Sequence, residues 1–210
     1  MKSSIVGIAI AALVVGMVGG YMIGMSSSKD DGSDNKSANQ EMKESADTKD
    51  GVTVGGAKMV RTLDIVDNAA NAKNVSTVVD LVKQAGLVDT LKSEGPFTVF
   101  GPSNEAFEAV PKDVLSVIAG NNEYLKTVLT YHVIPGTYTT ADLRAMANSG
   151  ESVKTVQGGE LSFKIVDGDV VVVDTQGQEV KIETPDIISS NGVTHVVKNV
   201  LLPLDPATLK

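Results

Sequence analysis

The 210-residue chain has no cysteine and no tryptophan, only two histidines, and 4% aromatic residues. Without cysteine there are no disulfides, no thiolate metal sites, no thiol nucleophile and no lipid-modified cysteine of the bacterial lipoprotein kind. The fold must hold by packing alone. A basic excess is missing as well: the formal net charge is −8, and residues 58–210 carry 13 Lys and Arg against 19 Asp and Glu. This argues against nucleic acid as a partner, because binding it rests on a positive face that neutralises phosphates. Internal repeats are also lacking, and a chain of this length has room for about one domain plus extensions.

What is present begins at the N-terminus. Residues 5–25, IVGIAIAALVVGMVGGYMIGM, carry no charge, and as a helix they would span about 31 Å, close to the ~30 Å hydrocarbon thickness of a bilayer. Lys2 precedes the run and an acidic stretch follows it, which orients the N-terminus to the cytoplasm and the remainder outside. Residues 1–25 therefore read as a signal anchor. A cleaved signal peptide is the competing reading, although the run exceeds the usual ~7–15-residue apolar core and no convincing A-x-A site follows it. Gly16, Gly20 and Gly24 recur every four residues, a bare row that lets two membrane helices approach and associate; glycine is also simply common in such helices. Residues 26–57 are polar and of mixed charge, which predicts a disordered linker. As a flexible coil it would hold the domain on the order of 30 Å from the membrane, and about 110 Å at full stretch.

Folded structure is expected from residue 58 to residue 206. Val75, Val78, Val79 and Val82 fall at helical spacing, and Gly86 suits the helix end. Phe97–Phe100 reads as a strand stopped by Gly101-Pro102. Helices are expected near 105–110, 111–119 and 122–130, with Leu115, Ile118, Leu125, Val128 and Leu129 in the core, and Thr139 to Asp142 has capping-box spacing. The second half reads as strands over 161–166, 169–174 and 179–183, with Asp167-Gly168 as a hairpin turn. Helices followed by an antiparallel meander predict an α+β domain.

Two blocks about ninety residues apart are the most specific feature: FTVFGPSNEAF over 97–107 and NGVTHVVKNVLLP over 191–203. In the first, Ser103 suits a helix cap ahead of Glu105. The second opens on Asn191-Gly192, a dipeptide that tolerates positive φ in a tight turn. With YHVIPG at 131–136 between them, these blocks resemble the signature segments of the fasciclin domain family, carried here by Thr98, Phe100, Pro102, Ser103, Asn104, Phe107, Asn191, Gly192 and His195. Gly101 stands where the family usually has Ala, and Ser103 where it usually has Thr. The resemblance implies a fasciclin-like fold, a seven-stranded antiparallel β-wedge or sandwich with helices packed against it. It further implies a partner-binding role for the Tyr-His pair Tyr131 and His132 and for the Asp-Ile pair Asp186 and Ile187, positions associated with adhesion receptors in animal members.

Tests for chemistry fail along the chain. Ser103 lies outside any G-x-S-x-G elbow, His132 and His195 lack the spacing of a zinc pair, and Asp167, Asp169 and Asp174 lack a glutamate-closed calcium loop. No Gly-rich loop has phosphate-cradling spacing before a helix. Each histidine sits within an apolar strand pattern, His195 sharing a face with Val193 and Val197, which fits a buried, hydrogen-bonded imidazole. Catalytic, metal and cofactor sites are thus expected to be absent. The reading is a membrane-tethered, extracytoplasmic adhesion module whose partner is a cell-surface or matrix protein or a glycan. The alternatives are a carrier of small hydrophobic ligands, or a matrix component secreted after signal cleavage.

Overall fold

A computed structural model describes residues 51–203. It opens with two short strands, β1 (Thr53–Val54) and β2 (Ala57–Lys58), paired antiparallel. Val54 and Met59 are each only 3% exposed. The linker expectation is corrected at its C-terminal end. Residues 51–57 belong to the folded domain, because Val52, Val54 and Met59 give this stretch an apolar side that its polar surroundings mask.

Helices follow where periodicity and caps place them. Helix α1 (Ile65–Asn71) starts at Asp64, whose carboxylate accepts the Asp67 N–H at 2.8 Å. After a 3₁₀ turn over Lys73–Val75, α2 (Ser76–Ala85) buries Val79 and Val82 and half-buries Val78. Gly86 ends α2 at φ 70°, the left-handed cap that glycine adopts without a Cβ penalty. Helix α3 (Val88–Lys92) leads to strand β3 (Phe97–Pro102). Ser103 caps α4 (Asn104–Glu108) as expected, accepting the Ala106 N–H at 3.3 Å. In α5 (Lys112–Gly120) and α6 (Asn122–Tyr131), Ile118, Leu125, Val128 and Leu129 pack into a helical core with Leu91 and Phe107, whereas Leu115 is only partly buried. Strand β4 (Val133–Pro135) precedes α7 (Thr140–Ser149), where the Thr139 N–H and hydroxyl both donate to the Asp142 carboxylate at 2.8 and 2.7 Å. The shorter acid completes the capping box.

Strands β5 (Ser152–Lys154), β6 (Glu160–Val166), β7 (Asp169–Val173), β8 (Glu179–Ser189) and β9 (Gly192–Val197) complete a seven-stranded sheet in the order β4-β3-β9-β8-β7-β6-β5. Asp167-Gly168 turns β6 into β7, with Asp167 at φ 53°. Every pair of neighbours in this sheet is antiparallel but one. β3 and β9 run parallel, from Phe97 opposite Gly192 to Pro102 opposite Val197. The two signature blocks therefore lie side by side, and everything between them forms the long crossover that a parallel pair requires.

β8 runs past the expected 179–183 to Ser189, pairing with β7 through Glu179–Lys181 and with β9 through Ile182–Ser189. Register shifts flank Thr184, and Pro185 with Asp186 at φ 55° re-aims the strand, so one strand serves both halves of the wedge. Beyond β5, the Val156 N–H bonds the Val133 carbonyl in β4 at 2.8 Å, which brings the two ends of the sheet together. Phe100, Tyr131, Ile134, Leu161, Phe163, Val172 and Leu201 fill the interior. The architecture is α+β.

Candidate functional site

Both histidines are wired into the fold as neutral rings. The Leu201 N–H donates to His132 Nε2 at 3.0 Å, so the proton sits on Nδ1, which donates to the Val128 carbonyl at 2.7 Å. Burial pushes the His132 imidazole down to about 4, against the opposing pull of the bond to Val128. His195 uses the other tautomer: the Asp186 N–H donates to Nδ1 at 3.2 Å, and Nε2 donates to the Tyr138 carbonyl at 2.9 Å. Its ring is fully buried and stacks on Phe100, with centroids 5.5 Å apart and planes at 24°. Burial depresses its pKa too, while the bond to Tyr138 and the nearby Asp186 charge oppose the shift. Neither ring keeps a lone pair for a metal or a substrate.

Of the four positions to which the resemblance assigned partner contact, three are buried and Asp186 is part-buried. Tyr131 is fully buried, its hydroxyl donating to the Glu160 carbonyl at 3.1 Å and accepting the Thr175 N–H at 2.9 Å. Desolvation raises its pKa. His132 and Ile187 are each 3% exposed. Asp186 lies part-buried at the bend of β8, where its carboxylate accepts the Thr140 N–H at 2.7 Å and so secures the start of α7. The side chains of Tyr131, His132 and Ile187 thus lie inside the wedge and touch other parts of the same domain.

The remaining signature residues also act as joints. Thr98 Oγ1 donates to the Gly136 carbonyl at 2.8 Å and accepts the Tyr138 N–H at 2.9 Å. Pro102 ends β3 beside Val197, and Phe107 packs into the helical core. Asn104 reaches from the start of α4 to α2, its Oδ1 accepting the Thr77 N–H at 3.0 Å and its amide donating to the Lys73 carbonyl at 2.8 Å. Sequence reading missed this cap on a second helix, because the partner lies 27 residues upstream. Asn68 was missed altogether. Its amide holds Val60 through both backbone groups at 2.9 Å each and also donates to Ser189 Oγ at 2.9 Å. A polar residue on the apolar side of α1 was the available signal. Of the acidic trio, Asp167 forms the turn, Asp169 pairs with Lys181, and Asp174 accepts the N–H groups of Gln176, Gln178 and Leu202.

Asn191-Gly192 is not the tight-turn pair that its dipeptide suggested. The turn residues are Ser190 and Asn191, while Gly192 begins β9 at φ 159°, close to extended backbone. Glycine is required there because a Cβ would lie 2.0 Å from the Phe97 carbonyl oxygen.

One cavity, of about 60 Å³, opens between the helices and the β3–β9 face. Aliphatic side chains from each side line it, among them Val54 and Met59 of the N-terminal hairpin, Val79 of α2, Val99 of β3 and Val196 of β9. Gly101 contributes a bare patch of wall. No charged residue lines it. Among the described residues no group of three or more His, Cys, Asp or Glu is arranged to hold a metal, and no helix is long and apolar enough to cross a membrane. The apolar run with Gly16, Gly20 and Gly24 lies outside the described residues.

Residues 73–203 match the model of the fasciclin domain. Protein sll1483 of Synechocystis is 39% identical over 164 residues, covering 77% of this chain and 86% of that protein. Immunogenic protein MPB70 of Mycobacterium bovis is 30% identical over 125 residues, 57% of this chain and 56% of that one, and human periostin is 29% identical over 133 residues, 63% of this chain but 15% of periostin. A domain pair from the insect cell adhesion molecule Fasciclin I superposes with a TM-score of 0.61 at 19% identity, covering 68% of this chain and 52% of that one. The family model covers more than half of the chain, and this chain belongs to the fasciclin family.

Proposed function

We propose that this protein is an extracytoplasmic binding module that mediates adhesion to a cell-surface or matrix protein or a glycan, and that it performs no chemistry. The observation that carries the reading is how the chemistry-bearing side chains of the signature blocks are used. His132, His195, Ser103, Asn104 and Asn191 all spend their polar atoms on the domain's own backbone. What the fold offers a partner is a rigidly built exterior. The apolar run over residues 5–25 tethers the domain to a membrane, and the polar stretch after it sets the reach. Cells displaying the full chain are expected to attach to one another or to matrix-coated surfaces more than cells lacking it; equal attachment sinks the adhesion reading. Sequencing the mature N-terminus by mass spectrometry separates a retained tether from a secreted form.

A second reading, a carrier of small hydrophobic molecules, is favoured by the uncharged aliphatic cavity. Ligand pockets are mostly apolar and concave. Extraction of the natively purified protein, followed by mass analysis of what it releases, tests that reading directly.

A further inference from the structure

The N-terminal hairpin stands apart from the rest of the domain in how it is held. It forms its own two-stranded sheet, unpaired with the seven-stranded one. Val54 and Met59 seat it in a small cluster with Ala72, Val75, Ile187 and Val196. The chain just after it is fixed differently. Asn68 clamps both backbone groups of Val60 at 2.9 Å, and is itself braced by Ser189. A segment gripped by directional bonds at one end and by apolar contact along its length has a defined hinge. Gly55, at the tip, packs so closely on the backbone of Lys73 and Asn74 that a Cβ there would meet the Lys73 nitrogen at 2.8 Å, so the closed position is a snug one.

Beneath the hairpin lies the aliphatic cavity, with Val54 and Met59 as part of its wall. At about 60 Å³ it is smaller than the ~300–1,000 Å³ of ordinary small-molecule pockets. Swinging the hairpin about Val60 withdraws two side chains from that wall and enlarges the space toward the helices and β9.

We propose that residues 51–59 are a strap that opens about Val60 and admits one hydrocarbon chain of a membrane lipid into this cavity. The inference rests on the carrier reading and supplies its ligand and its gate. The lining selects the ligand class: Val, Ile, Leu and Met side chains offer no aromatic face for stacking and no charge for a head group. The one side-chain amide in the wall, Asn68, already spends its polar atoms on Val60 and Ser189. An alkyl chain fits that chemistry and leaves its polar end at the mouth. The source follows from the length of chain outside the structure. Residues 26–50 separate the strap from the apolar run, a length of chain whose upper limit of about 85 Å leaves a bilayer surface within reach. The strap is also where the tether joins the domain, so displacement of the tether acts directly on the gate.

The experiment uses the full chain in phosphatidylcholine vesicles that carry a diazirine in one acyl chain. A light pulse is followed by mass mapping of the crosslinked peptides. Expected are crosslinks to cavity residues such as Val79, Val99 and Val196, lost in Gly101→Val. That variant fills the cavity from its bare wall, where an added Cβ finds Thr194 Cγ2 at an ordinary 3.7 Å, and an unchanged melting temperature shows that it folds. Val54→Asn, which loosens the strap, is expected to raise the crosslink yield at short times severalfold. Hydrogen exchange gives an independent reading of the gate: the Met59 amide, bonded to the Val52 carbonyl, should exchange faster than the amides of β3 and β9. Crosslinks confined to residues 1–50, or undiminished in Gly101→Val, overturn the lipid site; the carrier reading falls separately, if natively purified protein releases no small hydrophobic molecule on extraction. Cavity crosslinks that Val54→Asn leaves unchanged, with Met59 exchanging as slowly as β9, keep the site and overturn the strap.

Discussion

The side-chain oxygen of Asn191 accepts the backbone N–H of Ile65 at 3.0 Å, across 126 residues of sequence. The amide of the same side chain donates to the carbonyls of Leu91 and Ser93 at 2.8 and 3.0 Å. A single residue in the β8–β9 turn thereby satisfies the first turn of α1 and the last of α3, backbone groups that helix ends leave without partners.

Replacing Asn191 with Ala leaves three backbone groups unpaired in a site where Asn191 itself is only 8% exposed. A loss of roughly 2–4 kcal/mol is expected. Urea unfolding of the variant beside the parent measures it, and a change under about 0.5 kcal/mol shows that water or local relaxation replaces these bonds.

Gly192→Ala should cost more than Gly168→Ala, although both glycines sit at strand junctions. A Cβ at Gly192 runs into the Phe97 carbonyl of the parallel neighbour, whereas one at Gly168, at φ 87°, meets no atom within 4 Å and bears backbone strain alone. Losses of at least ~2 and about 1 kcal/mol are expected, respectively. Equal melting temperatures for the two variants would mean that β3 and β9 part readily.

Acid should weaken the domain above the pH at which carboxylates protonate. His132 is held neutral with a folded pKa near 4, against 6.5 unfolded. The unfolded chain therefore binds the extra proton as pH falls through 6.5, and stability present above that pH is progressively lost until the folded ring protonates too. Between pH 7.5 and 5 the loss from His132 alone is about 2 kcal/mol, and His195, shifted the same way, adds to it. Urea midpoints at pH 7.5, 6 and 5 provide the check; a flat midpoint across that window contradicts the buried neutral rings.

Clustering by the glycine row is a separate expectation, on a segment outside the described residues. Several copies on one membrane raise effective concentration and can multiply apparent affinity roughly 10²- to 10⁴-fold. Gly20→Leu is expected to reduce crosslinked oligomers in membranes and to weaken cell attachment together. Oligomers that persist, or attachment that survives their loss, remove the glycine row from the mechanism.

Local signals in the sequence anticipated local structure. Ser103, Gly86, Asp167-Gly168 and the Thr139–Asp142 box each act within a few residues, so their chemistry is visible in the run of letters. The resemblance reached further and gave the family and the seven strands. What stayed hidden depends on partners distant in sequence. The parallel pairing of β3 with β9 is not encoded in either strand's alternation. Gly192 looked like a turn residue because the Phe97 carbonyl that excludes its side chain lies 95 positions earlier. Tyr131, His132 and Ile187 read as a binding patch by family association, yet whether a side chain points outward depends on packing that a motif does not record. Val54 and Met59 were lost in a polar stretch, since two apolar anchors suffice to dock a hairpin but are too few to raise the local composition.

The contact between Val156 and Val133 bears on how such domains tolerate crowding. A sheet with long open ends exposes rows of unpaired amides and carbonyls that recruit other chains into edge-to-edge aggregates. Here the terminal strands are three residues each, one carries Pro135 with no N–H to offer, and the Val156 bond draws one end of the sheet against the other. Copies of the domain brought close together can therefore collide repeatedly without adding strands to one another at these two edges.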